Sequence, residues 1–166
     1  MEKHLSLISD HKPSNPIKTI LLTGLVAGTL DISAALIHAF ITRGITPDRV
    51  FKFIASGVWG KDAFSEGTPM IFWGIFFHYV IAFTFTLFFF FIYPYVTKLI
   101  WNKIVLGLLY GIFVWIVMNM LVLPLSNIPK GSPGLGQKLI GMAILMMMIG
   151  LPISLIIDKY YSSEKA

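Results

Sequence analysis

Asp31, His38, His78 and Asn119 are the residues of this chain with chemistry to offer, because each stands inside a long apolar stretch. Asp31 and His38 lie in the first such stretch, His78 in the second and Asn119 in the third. Ionisable groups are costly to hold in lipid and by default turn to the interior of a helix bundle. A carboxylate beside an imidazole can hold or pass one proton near neutral pH. Asp31 with His38 and His78 could equally hold a divalent transition metal, with Asn119 or water as a fourth ligand. Two histidines on neighbouring helices could also ligate a haem from both faces. The plainest use is an Asp–His hydrogen bond that only joins two helices.

The spacing narrows the geometry. On an ideal helix Gly24, Gly28, Asp31, Ala35 and His38 share an arc of about 80°. Gly24 and Gly28 form a small-xxx-small pair that admits a neighbouring helix. The packing face is therefore also the face that carries the acid and the imidazole. Gly74 and His78 share a face of the second stretch, and Gly107 and Gly111 form another close-packing pair in the third. Asn119 sits about a quarter turn off that last face. Counted at about 1.5 Å per residue from the side opposite the termini, His38 lies roughly 6 Å deep, Asn119 7 Å, His78 12 Å and Asp31 16 Å. The expectation is a funnel-shaped polar pocket in one leaflet, closing on Asp31.

The elements that must position these groups are four spans. A helix needs roughly 20 apolar residues to cross a bilayer, and the stretches Ile17–Ile41, Met70–Val96, Ile104–Leu123 and Leu139–Ile157 supply them. The almost unbroken phenylalanines of Phe85–Ile92 exclude the alternating pattern of a barrel strand. The expected fold is an all-α, polytopic four-helix membrane bundle over residues 17–157, with a polar N-terminal tail at 1–16 and a polar C-terminal tail at 158–166. The first span is too long for a signal-peptide core and is expected to stay attached. In the first connection, Thr46-Pro47-Asp48 reads as a helix start. Val50, Phe51, Phe53 and Ile54 then share one face, Asp48, Arg49 and Lys52 the other, and Gly57 reads as the stop. This short amphipathic helix would anchor the loop at the membrane surface or act as a lid over the pocket.

Composition agrees. The 166 residues are 56% hydrophobic and 13% charged, with a mean hydropathy of +0.79. That is about half the charge of a soluble domain. With no cysteine, disulfide scaffolds and thiol chemistry are excluded. An even number of spans puts both termini on one side. Seven basic residues fall there (Lys3, Lys12, Lys18, Lys98, Lys103, Lys159, Lys165) and six on the other (Arg43, Arg49, Lys52, Lys61, Lys130, Lys138). The denser terminal side is placed in the cytoplasm. The net charge of +5 is scattered among loops, so it points to lipid headgroups and not to nucleic acid.

Other signals carry less. Gly131–Lys138 superficially resembles a phosphate loop, but Gln137 breaks the Gly-Lys step and no Ser or Thr follows Lys138. Met146-Met147-Met148 point in different directions on a helix and read as filler. Pro152 after Gly150 is expected to kink the last span. No Ser/His/Asp triad or paired acid stands at pocket depth, so no hydrolase is expected.

Gly24–Asp31, Pro47-Asp48-Arg49-Val50, Ala55-Ser56-Gly57, Gly74–His78, Tyr110-Gly111, Met118-Asn119, Pro124-Leu125-Ser126 and Gly150-Leu151-Pro152 together resemble a widespread, uncharacterised family of small four-span bacterial membrane proteins. The resemblance spans about residues 24–155. It implies a bacterial cytoplasmic membrane and this architecture, and no activity.

The leading expectation is a non-enzymatic membrane protein that handles a proton, ion or small polar solute, without a bound cofactor. Asp31 would be the acceptor, His78 its partner, His38 the mouth relay and Asn119 an orienting hydrogen-bonder. A transport pathway would call for a homo-oligomer. The alternatives are a structural or accessory subunit of a larger membrane complex, packed through its glycine faces, and a haem- or metal-binding membrane protein.

Overall fold

The computed structural model describes residues 15–129, 131 and 134–164. The tail expected at 1–16, apart from Asn15 and Pro16, lies outside them, as do Lys130, Lys165 and part of the Gly131–Lys138 turn. The described residues form helices and no strand. Four helices are long and apolar enough to cross a membrane: α1 (Pro16–Arg43), α4 (Pro69–Val96), α5 (Lys103–Leu125) and α6 (Leu135–Ser163). The chain is a multi-pass membrane protein. Two short helices, α2 (Pro47–Trp59) and α3 (Asp62–Ser65), fill the connection between α1 and α4.

Local chemistry sets the ends. The Asn15 side chain accepts from the backbone N–H of Ile17 at 2.9 Å and of Lys18, and Asn102 does the same for Ile104 and Val105 at the start of α5. Each satisfies orphan donors of a first turn. Gly44 ends α1 at φ 62°, and Gly60 ends α2 at φ 61°, a conformation that costs a side-chain-bearing residue 1–2 kcal/mol or so. The expected stop at Gly57 is therefore corrected: α2 continues for two residues past it, and the left-handed turn falls at Gly60.

Both α5 and α6 contain a π-helical turn, Met118–Val122 and Met146–Gly150. Each turn stands just before a proline, Pro124 or Pro152, within a recurring Met-x-Met-x-x-Leu-Pro. The Leu123 N–H reaches the Met118 carbonyl, and the Leu151 N–H reaches that of Met146. A proline has no N–H, and its ring clashes with the carbonyl four residues back. Widening the preceding turn by one residue relieves both faults. The helix thus runs through Pro124 to Leu125, and a π turn takes the place of a simple kink before Pro152.

In the bundle, α1 packs against α4 and α6, α5 packs against α6, and α2 lies on α4. Glycines make these contacts. A Cβ on Gly24 would overlap the Phe83 ring, and one on Gly28 would stand 3.1 Å from Ala82 and Tyr79. A Cβ on Gly107 would come within 2.9 Å of the Gly150 carbonyl, and on Gly111 within 2.8 Å of the Leu145 carbonyl. Gly74 receives the backbone of Phe51, so α2 crosses α4 there. The expected packing role of all five glycines is met inside the chain.

The buried core lies at one end of the bundle. It joins Ala27 of α1, Phe89, Phe90 and Tyr93 of α4, Leu106, Tyr110 and Val114 of α5, and Ile149, Ile153, Ile157 and Tyr160 of α6. This is the tyrosine end. Toward the opposite, loop end, residues 33–43, 115–125 and 135–148 contain no fully buried side chain. At the loop end the burial lies instead between α2, α3 and the start of α4, at Ala55, Ala63 and Met70.

Gly111→Ala forces backbone against backbone, and overpacking of this kind costs about 1–3 kcal/mol. Gly67→Ala meets no atom within 4 Å. Unfolding of the detergent-solubilised variants should show the first clearly destabilised and the second unchanged.

Candidate functional site

The site forms where α1 and α4 cross. Gly28 lacks a side chain, so α4 comes close enough for the His78 ring to reach the α1 backbone. His78 Nε2 donates to the Gly28 carbonyl at 2.8 Å. A carbonyl can only accept, so the neutral ring carries its proton on Nε2. Nδ1 is left as the basic atom. The His78 and Tyr79 rings meet edge to face at 5.4 Å between centroids. The Tyr79 and Thr29 hydroxyls share a 2.8 Å hydrogen bond one residue along α1 from Gly28.

Asp31 stands one turn further along the Gly24–Gly28 face. It is half-buried and stands one turn along α1 from the Gly28 carbonyl that His78 holds. It makes no ion pair within 4 Å among the described residues, where Lys103–Asp158 is the pair found. The contacts Gly24–Phe83 and Gly28–Tyr79 fix an antiparallel register between α1 and α4. Continued along α1, that register puts His38 level with the first turn of α4, about 10 Å beyond Asp31. His38 is half-buried, beyond Ile32, the last buried residue of α1.

Asn119 is placed differently. Its Nδ2 donates to the Trp115 carbonyl of its own helix at 2.9 Å, inside the π turn of α5. The structure places His78 at the α1–α4 crossing by its bond to Gly28, leaves Asp31 and His38 further along that face of α1, and gives Asn119 a local partner. Among the described residues no three His, Asp or Glu side chains gather as a metal-ligating group. Ligation of haem by His78 Nε2 would first have to break the bond to Gly28.

The expected lid is fastened. The Asn127 N–H donates to the Gly57 carbonyl at 3.0 Å, and Asn127 Nδ2 donates to that of Val58 at 2.8 Å. These bonds tie the end of α5 to the end of α2. The buried residues of α2 are Ala55 and Ser56, and Ala55 packs with Ala63 and Met70. Of the face expected to be apolar, Val50, Phe51 and Ile54 are only half-buried and Phe53 is exposed. The cleft at this end is lined by Asp48, Arg49, Lys52 and Phe64, and by none of the four expected pocket residues.

No family model matches this chain, and neither does any curated protein or solved structure.

One polar centre escaped sequence reading. Asp158, expected in a C-terminal tail, lies inside α6. It accepts from the Tyr93 hydroxyl at 2.5 Å and from Lys103 Nζ at 2.8 Å, joining α4, α5 and α6 at the tyrosine end. Ser154, one turn earlier, is fully buried and donates to the Lys103 carbonyl at 2.7 Å. Tyr161 stacks on Tyr93 and donates to the Phe90 carbonyl. The available signal was the stripe Gly150, Ser154, Asp158, which recurs every four residues on one helix face.

The partners of Asp158 differ in weight. The Lys103 side chain is 51% exposed, so its ion pair is screened and worth under about 1 kcal/mol. Tyr93 is buried, and a hydrogen bond to a charged group is worth about 1.5–3 kcal/mol. Tyr93→Phe should therefore lower unfolding stability in detergent more than Lys103→Met does.

Proposed function

We propose that this protein is a non-enzymatic carrier of a proton, or of an ion or small polar solute moved with one, in a bacterial cytoplasmic membrane, and that Asp31 and His78 form the binding centre. The observation that carries this reading is the His78–Gly28 hydrogen bond beside Asp31. It fixes the ring so that Nδ1 is the atom free to take a proton, and it keeps a carboxylate within range of the imidazolium that results. Uptake of one proton by such a pair cancels its net charge, and release returns the carboxylate as the one charge the bundle must hold.

The packing supports access from the loop end. The last buried residue of α1 is Ile32, directly after Asp31. Beyond it His38 continues the same face toward the surface, as a mouth relay would. Asn119, with one N–H held by Trp115, keeps its Oδ1 and second N–H to act from α5. The bacterial location rests on the resemblance of the short motifs. The cytoplasmic placement of the tyrosine end rests on Lys18, Lys98, Lys103 and Lys159 there. The accessory-subunit reading relied on free glycine faces, and those faces are filled within the chain.

The test is proton flux into proteoliposomes that hold a pH-sensitive dye, with wild type compared to Asp31→Asn and His78→Gln. The expected result is measurable flux in wild type and a loss of about tenfold or more in each variant, the scale on which a proton-transfer group contributes. Flux unchanged by Asp31→Asn in a protein of wild-type helicity would sink the proposal. Independently, ¹⁵N resonances of the His78 ring should show the neutral form protonated on Nε2. A ring protonated on Nδ1 would contradict the assignment.

A further inference from the structure

The cleft at the loop end is separate from the Asp31–His78 pair. We propose that it binds the headgroup of a zwitterionic aminophospholipid, in which a phosphate and a primary ammonium stand side by side. Its volume is about 370 Å³, and its walls are Asp48, Arg49, Lys52 and Phe64. The left-handed turn at Gly60 folds α3 back under α2, where Ala55 and Ala63 pack with Met70. That fold brings Phe64 opposite the charged face of α2.

The charges are unspent. Among the described residues neither Arg49, Lys52 nor Asp48 takes part in an ion pair. The Thr46 hydroxyl beside Asp48 holds its carboxyl below the usual carboxylate range, with burial acting in the opposite direction and the Asp48 and Arg49 backbone N–H groups and Lys52 assisting the hydroxyl. Asp48 is thus an anion at neutral pH. Two cations and one anion around a single cleft complement a ligand that carries both signs. A phosphate meets Arg49 and Lys52, which suit it as fork and point charge, and a primary ammonium donates to Asp48. A headgroup with phosphate alone leaves Asp48 unmatched. A trimethylammonium group carries charge but has no N–H to donate.

The position selects a lipid over a soluble compound. Phe64, 41% exposed, lines the cleft itself, and Phe53 and Val58 leave α2 with further apolar side chains 43% and 52% exposed, as on interfacial helices in the headgroup region. Trp59 and Trp73 meet at 5.1 Å and supply the aromatic anchors typical of that level. The acyl chains of a bound lipid would run past Phe64.

The experiment measures retention of phosphatidylethanolamine, phosphatidylglycerol and phosphatidylcholine by the full-length protein, by native mass spectrometry from mixed-lipid nanodiscs. Phosphatidylethanolamine should be retained about threefold or more over the other two. Asp48→Asn should abolish its preference over phosphatidylglycerol. Lys52→Gln should lower both by roughly three- to fivefold, the scale of an exposed ion pair, and Arg49→Gln provides a second variant of the same class. Lys138→Gln, off the cleft, and Asp31→Asn, in the bundle, should change nothing, so the result stands apart from the proton proposal. Equal retention of phosphatidylethanolamine and phosphatidylcholine would overturn the assignment. So would an undiminished preference in Asp48→Asn, or competition by soluble phosphoethanolamine as strong as that by the lipid.

Discussion

Between helices in hydrocarbon there is no hydrophobic force to exploit, since a lipid tail is as apolar as a leucine; association rests on close packing and on hydrogen bonds. The bundle meets this constraint with glycine. Gly107 and Gly111 let α5 touch the backbone of α6 at Met146 and Gly150, and Gly24 and Gly28 let α4 lie against α1. The candidate site is a consequence of the second contact. Gly28 gives up a side chain and thereby exposes a carbonyl, and His78 takes it. Packing and chemistry are here one requirement: a Cβ at position 28 would press on Ala82 and Tyr79 at 3.1 Å, beside the ring that the carbonyl holds.

The same constraint explains the π turns. Met146 and Gly150 bound the wide turn in α6, and both touch glycines of α5. A wide turn moves backbone off the regular helical path, and a glycine opposite is what accommodates it. Proline supplies the reason for the turn and glycine the room for it. Pro152, Gly150, Gly107 and Gly111 therefore act as a set, though they lie on two helices.

Much of this was legible in sequence. Apolar runs of bilayer length located four spans, and the spacing of Gly24, Gly28 and Asp31 gave the face on which α1 packs. That face agrees with the α1–α4 crossing at which His78 and Gly28 meet. Three features were not legible, for physical reasons. The fourth span was drawn to Ile157 because charge begins at Asp158, yet the helix continues to Ser163 because Tyr93 and Lys103, distant in sequence, satisfy that charge. Gly57 was read as a stop because it follows the apolar run, but a glycine ends a helix only where the chain must turn left-handed, and that is at Gly60. Asn119 was placed by depth, and depth does not reveal that its Nδ2 donates to the Trp115 carbonyl of its own helix. The repeated Met-x-Met-x-x-Leu-Pro was visible as letters, and its π turns follow only once the proline's missing donor is followed back through the preceding turn.

The position of the Asp31–His78 pair between the two halves of the bundle bears on what it can do. At the tyrosine end, Phe89, Ile153 and Ile157 are fully buried, and Asp158 with its partners closes α4, α5 and α6 against one another. An ionisable pair inside that half would be fixed, because any change of charge would be left in a sealed apolar core. In the loop half α1 itself has no buried residue beyond Ile32, and a charge there would be held less tightly by its own helix. Asp31 stands at the boundary, with packed glycines on one side and open helix on the other. Only at such a boundary can protonation be reached from one surface and still alter the contact between two helices. The proposed carrier would need both properties in one place, and among the described ionisable residues of the spans Asp31 stands nearest that boundary.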